Sequence, residues 1–335
     1  MKVPPRLVRR LVIDPLWVPL AIVLWLLLLA TAIVAAVLAP LTRKRRILRA
    51  ALLACVYLYL DLGLMLGSAW LWLRHPLPSR DERAWRSQHS ELLGRALIRL
   101  MTAAHALFGY EVQWVGTEPI ISKDRPLLVL ARHAGPGDSF TLVHLLANRF
   151  DRNPRVILKQ ALQWDPGLDL VLTRLKCHFL PSRSGAGEDR VAAVAELSGR
   201  LDADDALLLF PEGGNWTPRR HRRSVVRLLK SGRRRQAARV RARTHVLPPR
   251  PGGTVAALAA RHDTDVLVVA HAGLDTLVNP KQMWQALPLD ARPMRIRAWL
   301  HEAETVPREE QGIRTWLTTQ WDLIDQWVET EKRHD

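Results

Sequence analysis

Residues 16–41 contain no charged side chain, and this feature most restricts how the chain can fold. Because an α-helix rises about 1.5 Å per residue, such a run is long enough to cross the roughly 30 Å hydrocarbon core of a bilayer. It is too long for the apolar part of a secretory signal peptide, and no small-residue cleavage pattern closes it. The run therefore predicts that an apolar helix attaches the chain to a membrane.

A second apolar stretch, residues 47–73, carries Asp61 in its middle. An isolated Asp at the bilayer centre costs about 3 kcal/mol, so this stretch is expected to pack on a neighbour or to lie at the interface. The segments before, between and after the two stretches are all basic, and two full spans would place one Arg-rich loop on the wrong side. We therefore expect residues 1–75 to form a two-helix anchor, either a hairpin embedded in one leaflet or one span plus one interfacial helix.

From about residue 90, short apolar runs alternate with helical stretches, which is typical of an α/β domain. The predicted strands cover residues 110–115, 127–131, 155–159, 178–181, 206–210, 266–270 and 294–300. The predicted helices cover residues 91–107, 139–150, 188–201 and 254–261. A last helix, residues 308–332, carries apolar side chains at helical spacing, which is typical of a docking face. The sequence thus predicts an α/β domain over residues 90–305 and a C-terminal amphipathic helix over residues 306–335.

The formal net charge is +17 at pH 7, which indicates an anionic partner or surface. The charge is densest between residues 219 and 243, where Arg predominates. Nucleic acid is one candidate for such a block, but the block has no aromatic residue beyond Trp216 and no recognisable nucleic-acid-binding motif. A membrane surface or a phosphate-rich ligand is favoured, with a merely solvated helix face as the alternative.

The two cysteines, Cys55 and Cys177, lie in unrelated segments and offer no disulfide framework. Reduced thiols facing the cytosol are therefore expected. The twelve histidines include no HxxH or HExxH arrangement, and there is no CxxC pair. The sequence therefore predicts no metal site.

His133 and Asp138 stand where the predicted strand 127–131 ends. Residues five apart on a continuous helix point about 140° away from each other, but the Gly-Pro-Gly segment 135–137 breaks a helix and supplies a tight turn. This turn can fold the carboxylate back onto the imidazole. A His oriented by an acid in this way is suited to act as a general base on a hydroxyl or an amine. The alternative is a polar loop in which Asp138 only caps the next helix.

Two further predicted strands also end next to side chains that could bind a ligand. The strand 206–210 runs into Pro211, Glu212 and Gly213, and strand ends form the usual ligand crevice of an α/β sheet. Pro211 fixes the backbone there, and Gly213 lets a substrate approach closely. The strand 178–181 runs into Arg183, whose guanidinium suits a phosphate. A solvated Glu in a turn and a surface Arg on a loop are the alternatives.

Together these blocks resemble the glycerolipid (lysophospholipid) acyltransferase family, above all its 1-acylglycerol-3-phosphate acyltransferase group. That family carries an HxxxxD block, a block ending in Arg, an FPEG block and a final apolar-Pro block, in that order. Here the blocks are residues 133–138, 179–183, 210–213 and, more loosely, 246–249. The resemblance covers roughly residues 90–300. It implies an α/β fold in which a mixed sheet is flanked by helices, preceded by an N-terminal hydrophobic helical membrane hairpin.

By this resemblance, His133 is the general base that deprotonates the acceptor hydroxyl, and Asp138 orients its imidazole. Arg183 binds the phosphate of the acceptor, and Glu212 with Gly213 binds its glycerol portion. Phe210 and Pro211 complete the predicted substrate-binding residues.

The activated hydroxyl would attack the thioester of acyl-CoA or of an acyl carrier protein, so that 1-acylglycerol-3-phosphate becomes phosphatidic acid. These donors are co-substrates, and no cofactor and no metal are expected. The other expected partners are a membrane phospholipid acceptor and an anionic membrane surface, without nucleic acid. The implied location is the cell inner membrane, with the catalytic domain facing the cytoplasm.

The chain also departs from the family pattern. Arg132 precedes the His where Asn is common, and residues 214–216 replace the usual Thr or Ser followed by Arg. The final block continues as in the lysocardiolipin and lysophosphatidylinositol branch, so remodelling of another lysophospholipid is an alternative function. A non-catalytic anionic-lipid- or nucleic-acid-binding protein that uses the Arg block at residues 219–243 is a second alternative. A hydrolase using Ser139 is a third, which the absence of a GxSxG motif disfavours.

Overall fold

The computed structural model describes residues 3–41, 45–75, 81–135, 137–180, 187–273, 280–289 and 293–333. The chain divides into two compact units. The first unit comprises Met1–Tyr110, His144–Ala186 and Trp284–Ala291. The second unit comprises Glu111–Val143, Gly187–Met283 and Arg292–Asp335.

The strands, in chain order, are β1 (Val112–Trp114), β2 (Leu127–Ala131), β3 (Asn153–Lys159), β4 (His178–Leu180), β5 (Asp205–Leu209), β6 (Asp265–Ala272) and β7 (Met294–His301). The helices are α1 (Arg6–Val37), α2 (Arg46–Arg74), α3 (Glu82–Phe108), α4 (Asp138–His144), α5 (Pro166–Arg174), α6 (Gly187–Gly199), α7 (Pro218–Lys230), α8 (Arg234–Ala242), α9 (Pro251–Ala260), α10 (Pro280–Ala286) and α11 (Glu310–Arg333). A π-helical turn, Leu145–Arg149, continues α4.

Five strands form a mixed sheet in the second unit, in the order β1-β7-β6-β2-β5. Neighbouring strands run parallel except for the antiparallel pair β6–β7. Every residue of β2, β5 and β6 is buried, as expected for strands that are covered on both faces. Helix α6 packs on α9, and α11 packs on both α9 and β6. The predicted mixed α/β sheet flanked by helices is confirmed.

The parallel course of β2, β5 and β6 decides where the functional loops lie. Ala131, Leu209 and Ala272 are the last residues of these three strands. Because parallel neighbours end on the same edge of a sheet, the segments that follow β2, β5 and β6 meet there. His133 and the loop from Phe210 onward are therefore brought to one place by the topology alone.

All seven predicted strands are present, and their bounds differ from the prediction by at most two residues. Helix α3 begins well before the predicted residue 91, because the Asp81 side chain accepts hydrogen bonds from the backbone N–H groups of Arg83 and Ala84 and caps the helix there. Helix α5 was not predicted. Its start carries two usable signals, since Asp165 caps it and Pro166 is its first residue.

The first unit contains the two long apolar helices. By length and composition, α1 and α2 are both able to cross a membrane. Only 11% of the most apolar window of α1 is buried, compared with 39% of that of α2. The buried residues of α2 recur at helical spacing, and that helix packs on α3 and α5 as well as on α1. Helix α1 thus presents most of its apolar surface outward, whereas one face of α2 lies against protein.

Asp61 lies on the protein-facing side of α2 and is 3% exposed. Its Oδ2 accepts a hydrogen bond of 2.6 Å from the Trp17 indole, and its Oδ1 accepts one of 2.8 Å from the backbone N–H of Gly167. The carboxylate therefore joins α1 and α2 to the first turn of α5, where an acid is electrostatically favoured. This is the packing on a neighbour that the sequence required of an Asp in an apolar stretch.

Gly167→Ala tests this junction. A Cβ atom at residue 167 would lie 2.6 Å from the backbone oxygen of Asp61 and closer still to its side chain, so something must shift. We expect a loss of about 1–3 kcal/mol in the free energy of unfolding, measured by denaturant titration in detergent. The matched control is Gly63→Ala in α2, where a Cβ atom meets nothing within 4 Å. Equal changes in the free energy of unfolding of Gly167→Ala and Gly63→Ala would show that the contact with Asp61 does not restrict residue 167 to glycine.

Candidate active site

His133 and Asp138 form a directly bonded pair beyond the end of β2. His133 Nδ1 lies 2.9 Å from Asp138 Oδ2, and the imidazole is about one-fifth exposed whereas the carboxylate is buried. A carboxylate only accepts hydrogen bonds, so Nδ1 carries the proton and donates it. In a neutral imidazole, Nε2 is then the ring nitrogen with a free lone pair. Helix α4 begins at Asp138 itself, so this residue starts the helix while it holds the imidazole.

The surroundings of Asp138 keep it ionised. Its Oδ2 also accepts hydrogen bonds from the backbone N–H groups of Ala134 and Gly135, at 3.0 and 3.2 Å. Burial acts to raise the pKa of Asp138, but the hydrogen bond from His133, the electrostatic attraction of His271 and His133, and the backbone donors outweigh it. The pKa of this carboxyl is consequently lower than its ordinary value, as a permanent partner for the imidazole requires.

The loop after β5 contacts His133 at both of its ends. The Phe210 ring lies against the imidazole with 4.4 Å between centroids. At the other end, the backbone N–H of Trp216 donates a 2.7 Å hydrogen bond to the His133 carbonyl. Gly213, between them, has a φ of +70°, a conformation that favours glycine. The Gly-rich turn is thereby folded around the histidine.

Glu212 is 2% exposed, and its carboxyl group links two loops. Oε1 accepts a hydrogen bond of 3.3 Å from the backbone N–H of His133, and Oε2 accepts one of 3.0 Å from that of Leu247. Burial raises the pKa of Glu212 to about 8, although these two donors and the charge of Arg132 act in the opposite direction. These contacts are to the protein itself, and a contact of Glu212 with the substrate stays a prediction.

Arg132 is a functional-site residue whose role the sequence did not indicate. It is fully buried, and its guanidinium donates to the backbone carbonyls of His245, at 3.0 Å, and of His271. In return, His271 Nε2 donates a 2.9 Å hydrogen bond to the Arg132 carbonyl and lies 3.7 Å from Asp138 Oδ2. Arg132 thus fixes the backbone behind the pair, where Asn is common in the family.

The C-terminal helix α11 supports the same region. Asp325 Oδ1 accepts a 2.7 Å hydrogen bond from the backbone N–H of His245, and its Oδ2 accepts one of 3.3 Å from that of Thr244. The next residues lead to Leu247, the donor to Glu212. The sequence predicted only a docking face for this helix, because an acidic side chain on an amphipathic helix reveals its partner only in the folded chain.

The remaining predicted residues are placed as follows. Pro211 is buried, and its carbonyl accepts a 2.9 Å hydrogen bond from the backbone N–H of Arg250. The backbone N–H and the hydroxyl of Ser139 both donate to Asp138 Oδ1, at 2.7 and 3.4 Å, so this serine is bonded to the acid. Arg183 lies outside the described residues.

Asp202, Asp204 and Asp205 bring carboxylate oxygens within 4.8 Å of one another. They stand at the start of β5, at the opposite end of that strand from Glu212. Asp205 accepts a 2.9 Å hydrogen bond from the backbone N–H of Asp202. These two residues are therefore held together by a turn that precedes the strand.

The comparisons with known proteins identify the class to which this site belongs. The Acyltransferase family model matches residues 111–271, which contain His133, Asp138 and the loop after β5. No curated protein is significantly similar to the chain. The fold is similar to the crystal structure of PlsC, a 1-acyl-sn-glycerophosphate (LPA) acyltransferase from Thermotoga maritima. That match has a TM-score of 0.50 and 16% sequence identity, and it covers 82% of this chain and 95% of that one.

At such an identity, the solved structure establishes the shared fold. The family match adds the class, because residues 111–271 are similar to the Acyltransferase family. The chain is an acyltransferase enzyme.

Glu212→Gln tests the buried carboxyl. Below pH 4.5 the carboxyl is protonated in both the folded and the unfolded chain. As the pH rises to about 8, only the unfolded chain releases the proton, so the wild type loses stability relative to the Gln variant, which cannot ionise. We expect the difference in unfolding free energy, measured by denaturant titration at several pH values, to shift in favour of Gln between pH 5 and 8. A difference independent of pH would contradict the raised pKa.

Asp325→Asn tests the support from α11. One backbone N–H loses its acceptor and the charge is removed, so we expect a loss of about 1–3 kcal/mol in stability and a reduced kcat at permissive temperature. The matched control on the same helix is Glu310→Gln, because Glu310 pairs with Arg314 one turn away at the surface. Differential scanning fluorimetry and the acyl-transfer rate would be measured on both variants. An Asp325→Asn enzyme that matches the control would show that α11 does not support the site.

Proposed function

We propose that this acyltransferase moves a fatty acyl group from acyl-CoA, or from an acyl carrier protein, to a free hydroxyl of a lyso-glycerophospholipid. The acceptor proposed first is 1-acylglycerol-3-phosphate, with phosphatidic acid as the product. The observation that carries the proposal is the 2.9 Å bond between His133 Nδ1 and the ionised Asp138, with Nε2 left to accept a proton.

The proposed reaction has two steps and uses no covalent enzyme intermediate. In the first, His133 Nε2 takes the proton of the acceptor hydroxyl as the oxygen attacks the thioester carbonyl carbon. In the second, the tetrahedral intermediate collapses, the carbon–sulfur bond breaks, and the imidazolium returns the proton to the thiolate. Asp138 stabilises the imidazolium between the two steps. A positioned base of this kind contributes about 10²- to 10⁴-fold in rate.

The contacts of Ser139 favour acyl transfer over hydrolysis by a serine nucleophile. A nucleophilic serine needs its hydroxyl within hydrogen-bond reach of the base. The Ser139 hydroxyl is instead bonded to Asp138, on the oxygen that does not contact His133. Because a thioester is already activated, the acceptor hydroxyl can attack it directly, without a covalent acyl-enzyme intermediate on a serine.

We further propose that α1 and α2 hold the enzyme on a membrane, at the cell inner membrane with the site facing the cytoplasm. The outward apolar surface of α1 supports this location, since large exposed apolar surfaces mark membrane or protein contacts. The buried face of α2 and the contacts of Asp61 favour a hairpin in one leaflet over two full spans.

His133→Ala tests the mechanism. We expect kcat for transfer from oleoyl-CoA to 1-oleoylglycerol 3-phosphate to fall by about 10²- to 10⁴-fold, with folding and membrane association unchanged. Asp138→Asn should also lower kcat. The matched control is His262→Ala. The His262 side chain is exposed, and residue 262 precedes β6, at the end of that strand opposite to the site.

The product analysis distinguishes the alternatives. Mass spectrometry of the lipids formed from a panel of lysophospholipids would show whether phosphatidic acid or another diacyl product dominates. Release of free fatty acid that depends on Ser139 would instead indicate a hydrolase. Full transfer activity in His133→Ala would overturn the proposed base.

A further inference from the structure

Helices α7 and α8 form a hairpin with a small core of its own. Val225 of α7 is buried against Ala237 and Val240 of α8, and Leu228 packs on the same cluster. His221 Nε2 donates a 2.8 Å hydrogen bond to the backbone carbonyl of Val240. One side of α7 is therefore covered by α8.

A second side of α7 carries two more apolar side chains, which remain accessible. Val226 and Leu229 are each 44% exposed. Because each residue of a helix advances by about 100° around its axis, these two side chains point away from the hairpin core, and basic side chains lie beside them. We define the exposed face of α7 as these two residues together with four exposed basic ones, Arg219, Arg222, Arg223 and Lys230.

The exposed face of α7 carries positive charge that the hairpin does not neutralise. Between Glu212 and Asp263 the sequence contains no acidic residue. Asp322 of α11 forms ion pairs with Arg239 and Arg243, on the α8 side of the hairpin. Within the part of the chain that the structure describes, no carboxylate pairs with the four basic residues of the exposed face. Like charges four residues apart disfavour a helix, so this face is stabilised by an anionic partner outside the chain.

We propose that the exposed face of α7 docks on the surface of a membrane that contains anionic lipids. A basic amphipathic helix lies in the plane of such a surface, with its apolar side chains at the boundary between headgroups and acyl chains. The Arg and Lys side chains reach the lipid phosphates while their methylene stems contact apolar groups. Val226 and Leu229 favour lipid over a nucleic acid duplex, which presents phosphates without an apolar layer behind them. The choice of a membrane rests on the proposed function, which places the enzyme there.

The docking of α7 also orients the active site. Trp216, whose backbone N–H donates to the His133 carbonyl, lies two residues before Pro218, the first residue of α7. The Thr217 side chain accepts a 3.1 Å hydrogen bond from the backbone N–H of Arg220 and fixes the start of the helix. A short, ordered connection thus joins the exposed face to the turn that surrounds the histidine. With α7 docked, this turn lies near the lipid–water boundary, where the hydroxyl of a lysophospholipid is found.

A fluorescent reporter tests the docking directly. The two free cysteines are replaced by Cys55→Ala and Cys177→Ala, and the environment-sensitive dye nitrobenzoxadiazole is attached to Val226→Cys in the full-length enzyme. The enzyme is transferred from detergent to nanodiscs of phosphatidylcholine alone, or of phosphatidylcholine and phosphatidylglycerol in equal parts. We expect the emission to shift to the blue in the anionic nanodiscs only, and to shift back when salt is added, since salt screens surface charge.

The matched control carries the same dye on Ala192→Cys, an exposed residue of α6 in the same unit. We expect no shift there, because α6 is not part of the exposed face. Equal shifts at residues 192 and 226 would show that the dye itself enters the lipid, and they overturn the docking.

Two double variants with equal net charge test the basic residues. Arg222→Gln with Lys230→Gln removes two charges from the exposed face, and Lys281→Gln with Arg308→Gln removes two exposed charges elsewhere in the second unit. We expect the first double variant to lose the blue shift and the second to keep it. A loss in both indicates a general effect of net charge and overturns the docking face. If circular dichroism shows that the first double variant does not fold, Leu229→Gln, which should also weaken the shift, is measured in its place.

The reporter also keeps this inference separate from the proposed function. A dye on Leu27→Cys, which is exposed on α1, reports the attachment through the apolar helices. A blue shift at residue 27 with none at residue 226 leaves that attachment standing and overturns the docking of α7. A salt-sensitive shift at residue 226 in anionic nanodiscs supports the docking even if the enzyme acylates none of the lysophospholipids offered. A shift at residue 226 that requires an acidic protein, such as an acyl carrier protein, in place of anionic lipid overturns it.

Discussion

The buried carboxyl of Glu212 holds the active site together. It accepts backbone hydrogen bonds from His133, after β2, and from Leu247, before α9, while it belongs itself to the loop after β5. Three segments distant in sequence are thereby fixed at one edge of the sheet. Burying a carboxyl is unfavourable unless its oxygens are satisfied, so these segments must arrive together. The position of His133 consequently depends on a residue that makes no described contact with its imidazole.

The arginines around this edge of the sheet are of two kinds, buried and exposed. Arg132 and Arg243 are buried, and their guanidinium groups bind carbonyl oxygens or Asp322, which fixes the backbone behind the site. Arg220 and Arg250 are exposed and lie against the glycine turn in front of it. The net charge of the chain is therefore a poor guide to a ligand, because part of it is structural. Arg220 also donates a 3.0 Å hydrogen bond to the backbone carbonyl of Asn215, so part of its hydrogen-bonding capacity is used within the protein.

The sequence predicted the strands and the bonded pair well, because both follow from local patterns. Uninterrupted apolar runs indicate buried strands, and the Gly-rich turn requires the chain to fold back between His133 and Asp138. The sequence did not predict the roles of Arg132, His271 and Asp325. Each acts through backbone groups more than 70 residues away, and no local spacing encodes such a contact. The same holds for Glu212, which the sequence assigned to substrate binding, with a solvated turn as the alternative, and which is buried in the fold against backbone N–H groups.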